Sequence, residues 1–370
     1  MVTDTAMVRK NGRVYAFGPV VRELDVFHEL FRSIEWIGFD RPDLLDDPVL
    51  LPVPDYVQCF LLKRSGGHSI LSKLGVLFQT PAMAWRILKS LKGKQVIHTR
   101  APSSPAFIAA FLSFLFRKKI WWHKYAGNWG EVNPPFFYGL QRWWLARASW
   151  SKVTINGRWP GQPAHCLSFE NPCLDEDERQ KGLDIIQQKD YGGLLNLCFV
   201  GRIEEEKGIM RLLQALARMN NLPVGELHII GTGPLMEECR RFTQQLSIKV
   251  TFHGSKSREA VGTIMQSCHL IVLPTVASEG FPKVIAEGAN YGCVPVVSDI
   301  SSIAQYVVHE ANGFLLSPER LGEQLLQEEL QKVITHPNLK YFALAAHGMA
   351  GAFTFSRYLK RISKEILLQQ

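Results

Sequence analysis

The chain is short of negative charge where positive charge is dense. Between Tyr56 and Phe169 the only acid is Glu131, set against 16 Lys and Arg. Residues 1–170 hold 22 basic and 12 acidic residues, a net +10, while the other 200 hold 20 and 22, a net −2. Such a basic first half attracts an anionic partner: a lipid surface, nucleic acid or an anionic acceptor.

Other absences narrow the class further. The seven cysteines, at 59, 166, 173, 198, 239, 268 and 293, form no C-x-x-C and no Cys/His cluster with zinc-like spacing. Their odd count and irregular spacing imply free thiols in a reducing compartment. The longest apolar run, 105–116 (PAFIAAFLSFLF), is shorter than the ~20 residues that span a bilayer, and is expected as a buried core helix. The N-terminus, Met-Val-Thr-Asp-Thr, has no positive stretch followed by an apolar one, so no secretory leader is expected and the location is read as cytoplasmic. No fixed-period repeat, low-complexity tract or RNP-like string is present, and no nucleic-acid partner is expected.

What is there fits a globular protein. The 370 residues are 46% hydrophobic and 21% charged, enough for about two domains of ~150 residues each. In the first half, β-rich runs at 14–17, 34–39, 57–62, 96–99, 120–125 and 153–155 alternate with helical stretches at 26–32, 73–92, 105–116 and 137–148. Alternation of this kind means βαβ units and a parallel sheet. The pattern changes around Asn171-Pro172, where 175–189 reads as a linker or linking helix. It then restarts, with strands at 195–200, 227–230, 250–252, 269–273 and 294–298 and helices at 210–219, 234–246 and 282–291. The tail 355–368 is amphipathic, with Leu359, Ile362 and Ile366 at helical spacing. The fold class is therefore α/β: two Rossmann-like, doubly wound parallel-sheet domains facing a central cleft. The expected limits are 1–175 for the first domain, 176–190 for the linker and 191–354 for the second. The C-terminal helix, 355–370, is expected to pack back on the first domain.

Three segments of the second half carry chemistry. In Phe199-Val-Gly-Arg-Ile-Glu-Glu-Glu-Lys-Gly208 a strand ends at Gly201 and is followed by Arg202 and Lys207, a cation pair suited to a diphosphate at the carboxyl end of a parallel strand. His228-Ile-Ile-Gly-Thr-Gly-Pro234 runs a strand into a turn at Gly231 and Gly233 that permits close backbone approach, or simply a tight turn. In Pro274-Thr-Val-Ala-Ser-Glu-Gly-Phe-Pro-Lys-Val-Ile-Ala-Glu-Gly288, Glu279 precedes a helix that Pro282 helps to start. The N–H groups of Gly280, Phe281 and Lys283 form an anion site at its N-terminus. Glu287 lies about one and a half turns into that helix. Carboxylates that flank an anion site suit a diphosphate between two polyols, because they accept hydrogen bonds from sugar hydroxyls.

Residues 199–315 resemble the C-terminal domain of glycosyltransferase family 4, the retaining, GT-B-type enzymes also described as glycosyl transferases group 1. The matching pieces are Gly201-Arg202 with Lys207-Gly208, Gly231-Thr-Gly-Pro234, Phe252-His-Gly254, Glu279-x7-Glu287 with Gly280-Phe-Pro, Gly292-x-x-Pro295 and Asn312-Gly-Phe-Leu315. The resemblance implies transfer of a sugar from a nucleotide-sugar donor to a glycan or lipid-linked acceptor, with retention at the anomeric carbon and no cofactor or divalent metal. It also implies roles. Arg202 and Lys207 neutralise the leaving diphosphate, Glu279 contacts donor sugar hydroxyls and Glu287 holds the ribose. The backbone at Gly280–Pro282 covers phosphates and sugar. A GT-B epimerase or phosphorylase would share the same grip and is the alternative, with a basic nucleic-acid-binding protein behind it.

The first half matches by architecture rather than by motif and is expected to bind the acceptor. Where family members place a Gly-rich loop after the first strand, this chain reads Tyr15-Ala-Phe-Gly18-Pro19, a departure. The resemblance calls for a His facing the reacting sugar: His123 is preferred over His98, with Lys124 and Arg100 as weaker acceptor ligands. Trp121, Trp122, Trp129, Trp143, Trp144 and Trp150 stand among Lys and Arg residues, which suits an anionic membrane surface or lipid-linked acceptor and peripheral attachment to the inner face of the membrane. Asp175-x-Asp177 spells a metal-binding D-x-D but sits in an acidic linker, and no metal site is expected there.

Overall fold

The computed structural model describes residues 1–45, 47–63, 70–219 and 223–368, and the side chains of 70–78 are outside that description. The chain divides into two compact units, Met1–Glu170 with Arg357–Gln370, and Asn171–Ser356. The last two residues of the expected tail helix, 369–370, lie outside the described residues.

In chain order the first unit contains β1 (Val2–Lys10), β2 (Arg13–Phe17), α1 (Gly18–Phe27), β3 (Ile34–Asp40), β4 (Leu50–Pro52), β5 (Val57–Leu62), α2 (Ile70–Leu91), β6 (Val96–Ala101), α3 (Ser104–Leu115), β7 (Ile120–Tyr125), α4 (Phe136–Arg147), β8 (Lys152–Ile155) and β9 (Cys166–Ser168). The parallel strands run β5-β3-β1-β6-β7-β8-β9, and β2 and β4 add an antiparallel extension to β1. The first strand is therefore β1 and not the run at 14–17, which is its hairpin partner. The turn between them is Asn11-Gly12, both at positive φ (50° and 79°), in register Lys10 to Arg13. A two-residue Asn-Gly loop of this kind matches the twist of the strands it joins. Gly18-Pro19, the expected loop after the first strand, instead begins α1, where a Cβ on Gly18 would lie 2.7 Å from the Val49 carbonyl oxygen. The helix expected at 26–32 thus starts eight residues earlier, at Gly18.

Two helical layers cover this sheet. On one face, Val20, Val21, Leu24 and Phe27 of α1 pack with Trp36, Trp122 and the tail residues Tyr358, Leu359, Ile362 and Ile366. On the other lie α2, α3 and α4. The apolar run 105–116 is α3, but it is not a fully buried helix. Its small residues Ala106, Ala109, Ala110 and Ser113 fall at i, i+3, i+4 and i+7 and face inward, while Phe111, Phe114 and Leu115 are exposed. Small residues on the sheet side let the helix approach closely and leave the bulky ones outside. The tryptophans correct a second expectation. Trp121, Trp122 and Trp129 are buried, Trp144 and Trp150 half-buried with their indole N–H groups bonded to Ala110 O (3.0 Å) and Ser113 Oγ (2.9 Å), and only Trp143 of those six is exposed.

The second unit contains α5 (Glu176–Gln188), β10 (Leu195–Val200), α6 (Ile209–Ala217), β11 (Val224–Ile230), α7 (Met236–Thr243), β12 (Lys249–Gly254), α8 (Arg258–Ser267), β13 (Leu270–Leu273), α9 (Lys283–Asn290), β14 (Val294–Ser298), β15 (Phe314–Leu316), α10 (Glu323–Ile334) and α11 (Leu339–Ala350). Six strands in the order β12-β11-β10-β13-β14-β15 pair in parallel throughout. All their carboxyl ends thus share one edge, where open α/β sheets take ligands. The polar stretch expected as a linker or linking helix is α5, a helix of this unit packed on α9 and α11. It opens with a capping box, in which the Asp175 side chain accepts from Glu178 N and the Glu178 side chain accepts from Asp175 N. The tail helix α12 (Phe355–Arg361) returns the chain to the first unit and runs on through Ile362–Leu367. All seven cysteines are unpaired thiols.

Candidate functional site

The carboxyl edge of the second sheet collects the sequence-predicted residues of that half. Backbone contact shapes it before any side chain does. Gly201 N donates to Ile230 O (3.0 Å) and Ile203 N to Thr232 O (3.0 Å), so the loops after β10 and β11 lie against each other. A Cβ on Gly231, at φ 136°, would fall 1.9 Å from Gly201 O, and one on Gly233 would fall 2.3 Å from Ile203 O. Packing of the two loops is enough to require glycine at both places. In the next loop, Gly208 has φ 80°, and a Cβ there would sit 2.0 Å from Pro274 O. Val276 N and Thr275 Oγ1 both donate to Glu206 O (2.8 and 3.0 Å). These bonds tie the turn carrying Lys207 to the loop carrying Glu279.

The result is an ion pair between residues 72 apart in sequence: Lys207 Nζ donates to Glu279 Oε1. The Lys207 side chain is 15% exposed and that of Glu279 45%. Arg202 is 72% exposed and pairs with Glu204 at 3.0 Å. Pro282 stands at the N-cap of α9, one position before the first helical turn. Phe281 is buried, stacked on Phe353 at 4.5 Å and edge-on to Tyr306 at 5.0 Å, and Gly280 O accepts from Ser302 Oγ at 3.4 Å. The Phe281 ring therefore anchors the turn to the core, and the turn's chemistry is that of its backbone.

Glu287 points to a group that sequence reasoning missed. Arg258, first residue of α8, donates from Nε to Glu287 Oε1 (3.1 Å), from Nη2 to Glu178 Oε2 (3.0 Å) and also to the carbonyl of Cys173. Burial opposes its charge, but hydrogen bonding to Glu178 and the nearby carboxylates of Glu287 and Glu178 raise its pKa. Nothing in the spacing of 178, 258 and 287 announces this, because the three come together only when α5, α8 and α9 pack.

The first unit treats its candidates differently. His98 and His123 lie inside the sheet layers, 6% and 0% exposed. His123 Nδ1 meets Thr99 Oγ1 at 2.8 Å, and His98 stacks on Trp122 at 3.8 Å. The Nε2 atoms of both are buried without a hydrogen-bond partner. Arg100 and Lys124, adjacent on β6 and β7, both pair with Glu23 of α1, at 2.7 and 2.9 Å, and Lys124 also reaches Tyr358 Oη at 3.4 Å. Glu23 is fully buried, and the sequence reading did not single it out. The four candidates are thus parts of the unit's interior.

Burial lowers the His123 pKa to about 3 and that of His98 well below its ordinary value. Unfolded, each titrates near ~6.5, so below that pH the unfolded chain binds protons that the folded one refuses. Stability is full above pH ~6.5 and is lost as pH falls toward the folded values. His123→Gln is expected to flatten the dependence of Tm on pH on this acid side. An unchanged slope would contradict a neutral, buried His123.

Among the described residues no group of three or more His, Cys, Asp or Glu could hold a metal ion. Asp175 of the D-x-D is engaged at the start of α5 as described.

Residues 184–342 match the family described as glycosyl transferases group 1. Over 125 residues the chain is 29% identical to an uncharacterized glycosyltransferase of Methanocaldococcus jannaschii, covering 33% of this chain and 32% of that protein. Over 132 residues it is 32% identical to the lipopolysaccharide 1,6-galactosyltransferase of Salmonella typhimurium, covering 34% and 36%. The chain thus aligns with about a third of the length of these curated relatives. Whole-chain likeness appears at the level of structure. The Anabaena HepE structure with UDP and glucose gives a TM-score of 0.69 at 17% identity, covering 99% of both chains. The apo lipopolysaccharide outer core galactosyltransferase WaaB gives 0.66 at 18%, covering 100% of both. At these identities the likeness shows the fold, that of GT-B glycosyltransferases.

Proposed function

We propose that the chain, whose residues 184–342 match the family described as glycosyl transferases group 1, is a retaining glycosyltransferase moving a sugar from a nucleotide-sugar donor to a glycan or lipid-linked acceptor, in the synthesis of cell-surface polysaccharide or glycoconjugate. One observation carries the reading: the loops after β10 and β13 are tied together so that Lys207 meets Glu279 at the carboxyl edge of the sheet.

In this reading Lys207 and the outward Arg202 take the charge that develops on the leaving diphosphate, while Glu279 accepts hydrogen bonds from donor sugar hydroxyls. Without donor the two neutralise each other, and an arriving diphosphate competes with Glu279 for the Lys207 ammonium. Glu287, fixed by Arg258, binds the ribose. The backbone of Gly280, Phe281 and Pro282 lines phosphate and sugar, with Gly231 and Gly233 shaping the opposing loop. His98, His123, Arg100 and Lys124 receive no role in the transfer, because burial and Glu23 already occupy them. The cations Arg202 and Lys207 stand in for a divalent ion, so turnover is expected to be unchanged by EDTA. Loss of activity restored by Mg²⁺ or Mn²⁺ would overturn this point. Among the described residues no helix is long and apolar enough to cross a membrane. We place the protein in the cytoplasm, attached peripherally to the inner face of the membrane.

The test is a thermal-shift panel of UDP-, GDP-, ADP- and CMP-sugars, UDP-hexoses first. A ligand at a hundred times its Kd stabilises the folded chain by about 2.7 kcal/mol. Release of nucleoside diphosphate only when acceptor is present then separates transfer from epimerase or phosphorylase chemistry. A panel with no shift at all would remove the nucleotide-sugar reading.

A further inference from the structure

We propose that the solvent face shared by α2, α3 and α4 is the surface that docks on an anionic lipid bilayer. This deepens the peripheral-attachment reading and rests on it.

The three helices lie side by side, α3 touching both neighbours. Each presents an outward stripe that mixes bulky apolar side chains with cations. On α2, Met83, Ile87 and Leu91 point inward at intervals of four, leaving Trp85 (63% exposed), Leu88 and Lys89 outside, with Lys92 exposed just past the helix end. On α3 the outward residues are Phe111 (54%), Phe114 and Leu115 (62%), and the exposed Phe116, Arg117 and Lys118 follow. On α4 Trp143 is exposed beside Arg147.

The cations sit over the aromatics: Lys89 is 5.3 Å from the Trp85 ring, Arg117 4.2 Å from Phe114 and Arg147 4.2 Å from Trp143. Exposed aromatic rings under cationic groups match the boundary between acyl chains and headgroups, where rings insert shallowly and cations meet phosphate. The occupant follows from charge. Between Tyr56 and Phe169, which spans all three helices, Glu131 is the only acid. A protein partner of mixed charge would find no complementary acids here, whereas a uniformly anionic surface needs none.

The experiment is flotation of the full chain with vesicles of phosphatidylcholine alone and of phosphatidylcholine mixed equally with phosphatidylglycerol. Wild type is expected to float with the anionic vesicles, to stay behind with the neutral ones and to be released by salt. The pair Arg117→Ala and Lys118→Ala is expected to weaken binding about twenty-five-fold, taking about fivefold for each cation near an anionic surface. The pair Phe111→Ser and Leu115→Ser is expected to abolish flotation while the donor-induced thermal shift, which reports the second unit, is retained. Wild type that binds neither vesicle would overturn peripheral attachment altogether. Wild-type binding with both variants unimpaired would leave attachment standing and overturn this surface. A wild-type dimer in lipid-free buffer that the Phe111 and Leu115 changes dissociate would make the face a subunit interface and sink the proposal.

Discussion

Lys207→Ala is expected to lower turnover by about a hundred- to a thousandfold, the cost of removing one preorganised charge from a developing anion. The fold should survive. The Glu279 carboxylate left behind is almost half exposed, so water replaces the lost partner, and an exposed pair of this kind contributes only ~0–1 kcal/mol to stability. The loop also keeps its shape, because Gly208 at positive φ and the bonds from Thr275 and Val276 to Glu206 O do not involve the lysine side chain. Glu279→Ala should fall comparably in turnover, through the donor sugar rather than the diphosphate. The measurements are steady-state kinetics and Tm for each variant. Near-wild-type turnover in both would contradict the site assignment.

In the first unit, Glu23→Ala should destabilise by about 3–5 kcal/mol, because it strands two cations that share one buried carboxylate. Glu23 is 1% exposed at its side chain, Lys124 5% and Arg100 16%, so little water can take its place. The Tyr358 hydroxyl, 3.4 Å from Lys124 Nζ, cannot supply a charge. The effect can be read selectively: all nine tryptophans lie at or before position 159, so tryptophan fluorescence during urea unfolding follows this unit alone. A midpoint within error of wild type would mean that the three groups are not interdependent.

These two sites differ in how far they could be read from sequence. The second unit is legible because its central strands, Leu195–Val200, Leu270–Leu273 and Val294–Ser298, are largely apolar and buried, and glycine or a chemically distinctive residue follows each of them. Lys207 and Glu279 are each marked by the sequence, though not as partners, since their meeting depends on two loops bonded through Glu206 O. Glu287 was read without Arg258, which arrives from another helix. In the first unit, β1 escaped notice because it is half polar (Thr3, Asp4, Thr5, Arg9, Lys10), even though Asn11-Gly12 marks a hairpin. Glu23, in Val-Arg-Glu-Leu-Asp, falls outside every helix the sequence marks, and only the neighbouring strands reveal that it points inward at Arg100 and Lys124. The tryptophans misled for a related reason: indole rings suit an interface and a core equally well, and only packing separates Trp143 from Trp122. The Asp175-x-x-Glu178 spacing did carry a helix-start signal, which its acidity hid.

The path of the chain has a consequence for its biosynthesis. The apolar layer under α1 is closed by Tyr358, Leu359, Ile362 and Ile366 of the tail, which the ribosome makes only after the whole stretch 171–356. At ~5–20 residues per second that interval is about 10–40 s. Throughout it the nascent first unit carries an open seam beside Phe27 and Trp122, and before it ends the intervening unit has every strand of its own sheet. The order of folding is thus inverted relative to the order of translation: of the two units, the one whose synthesis starts first is the last to be completed, and a chaperone that shields an apolar seam has its natural opportunity there.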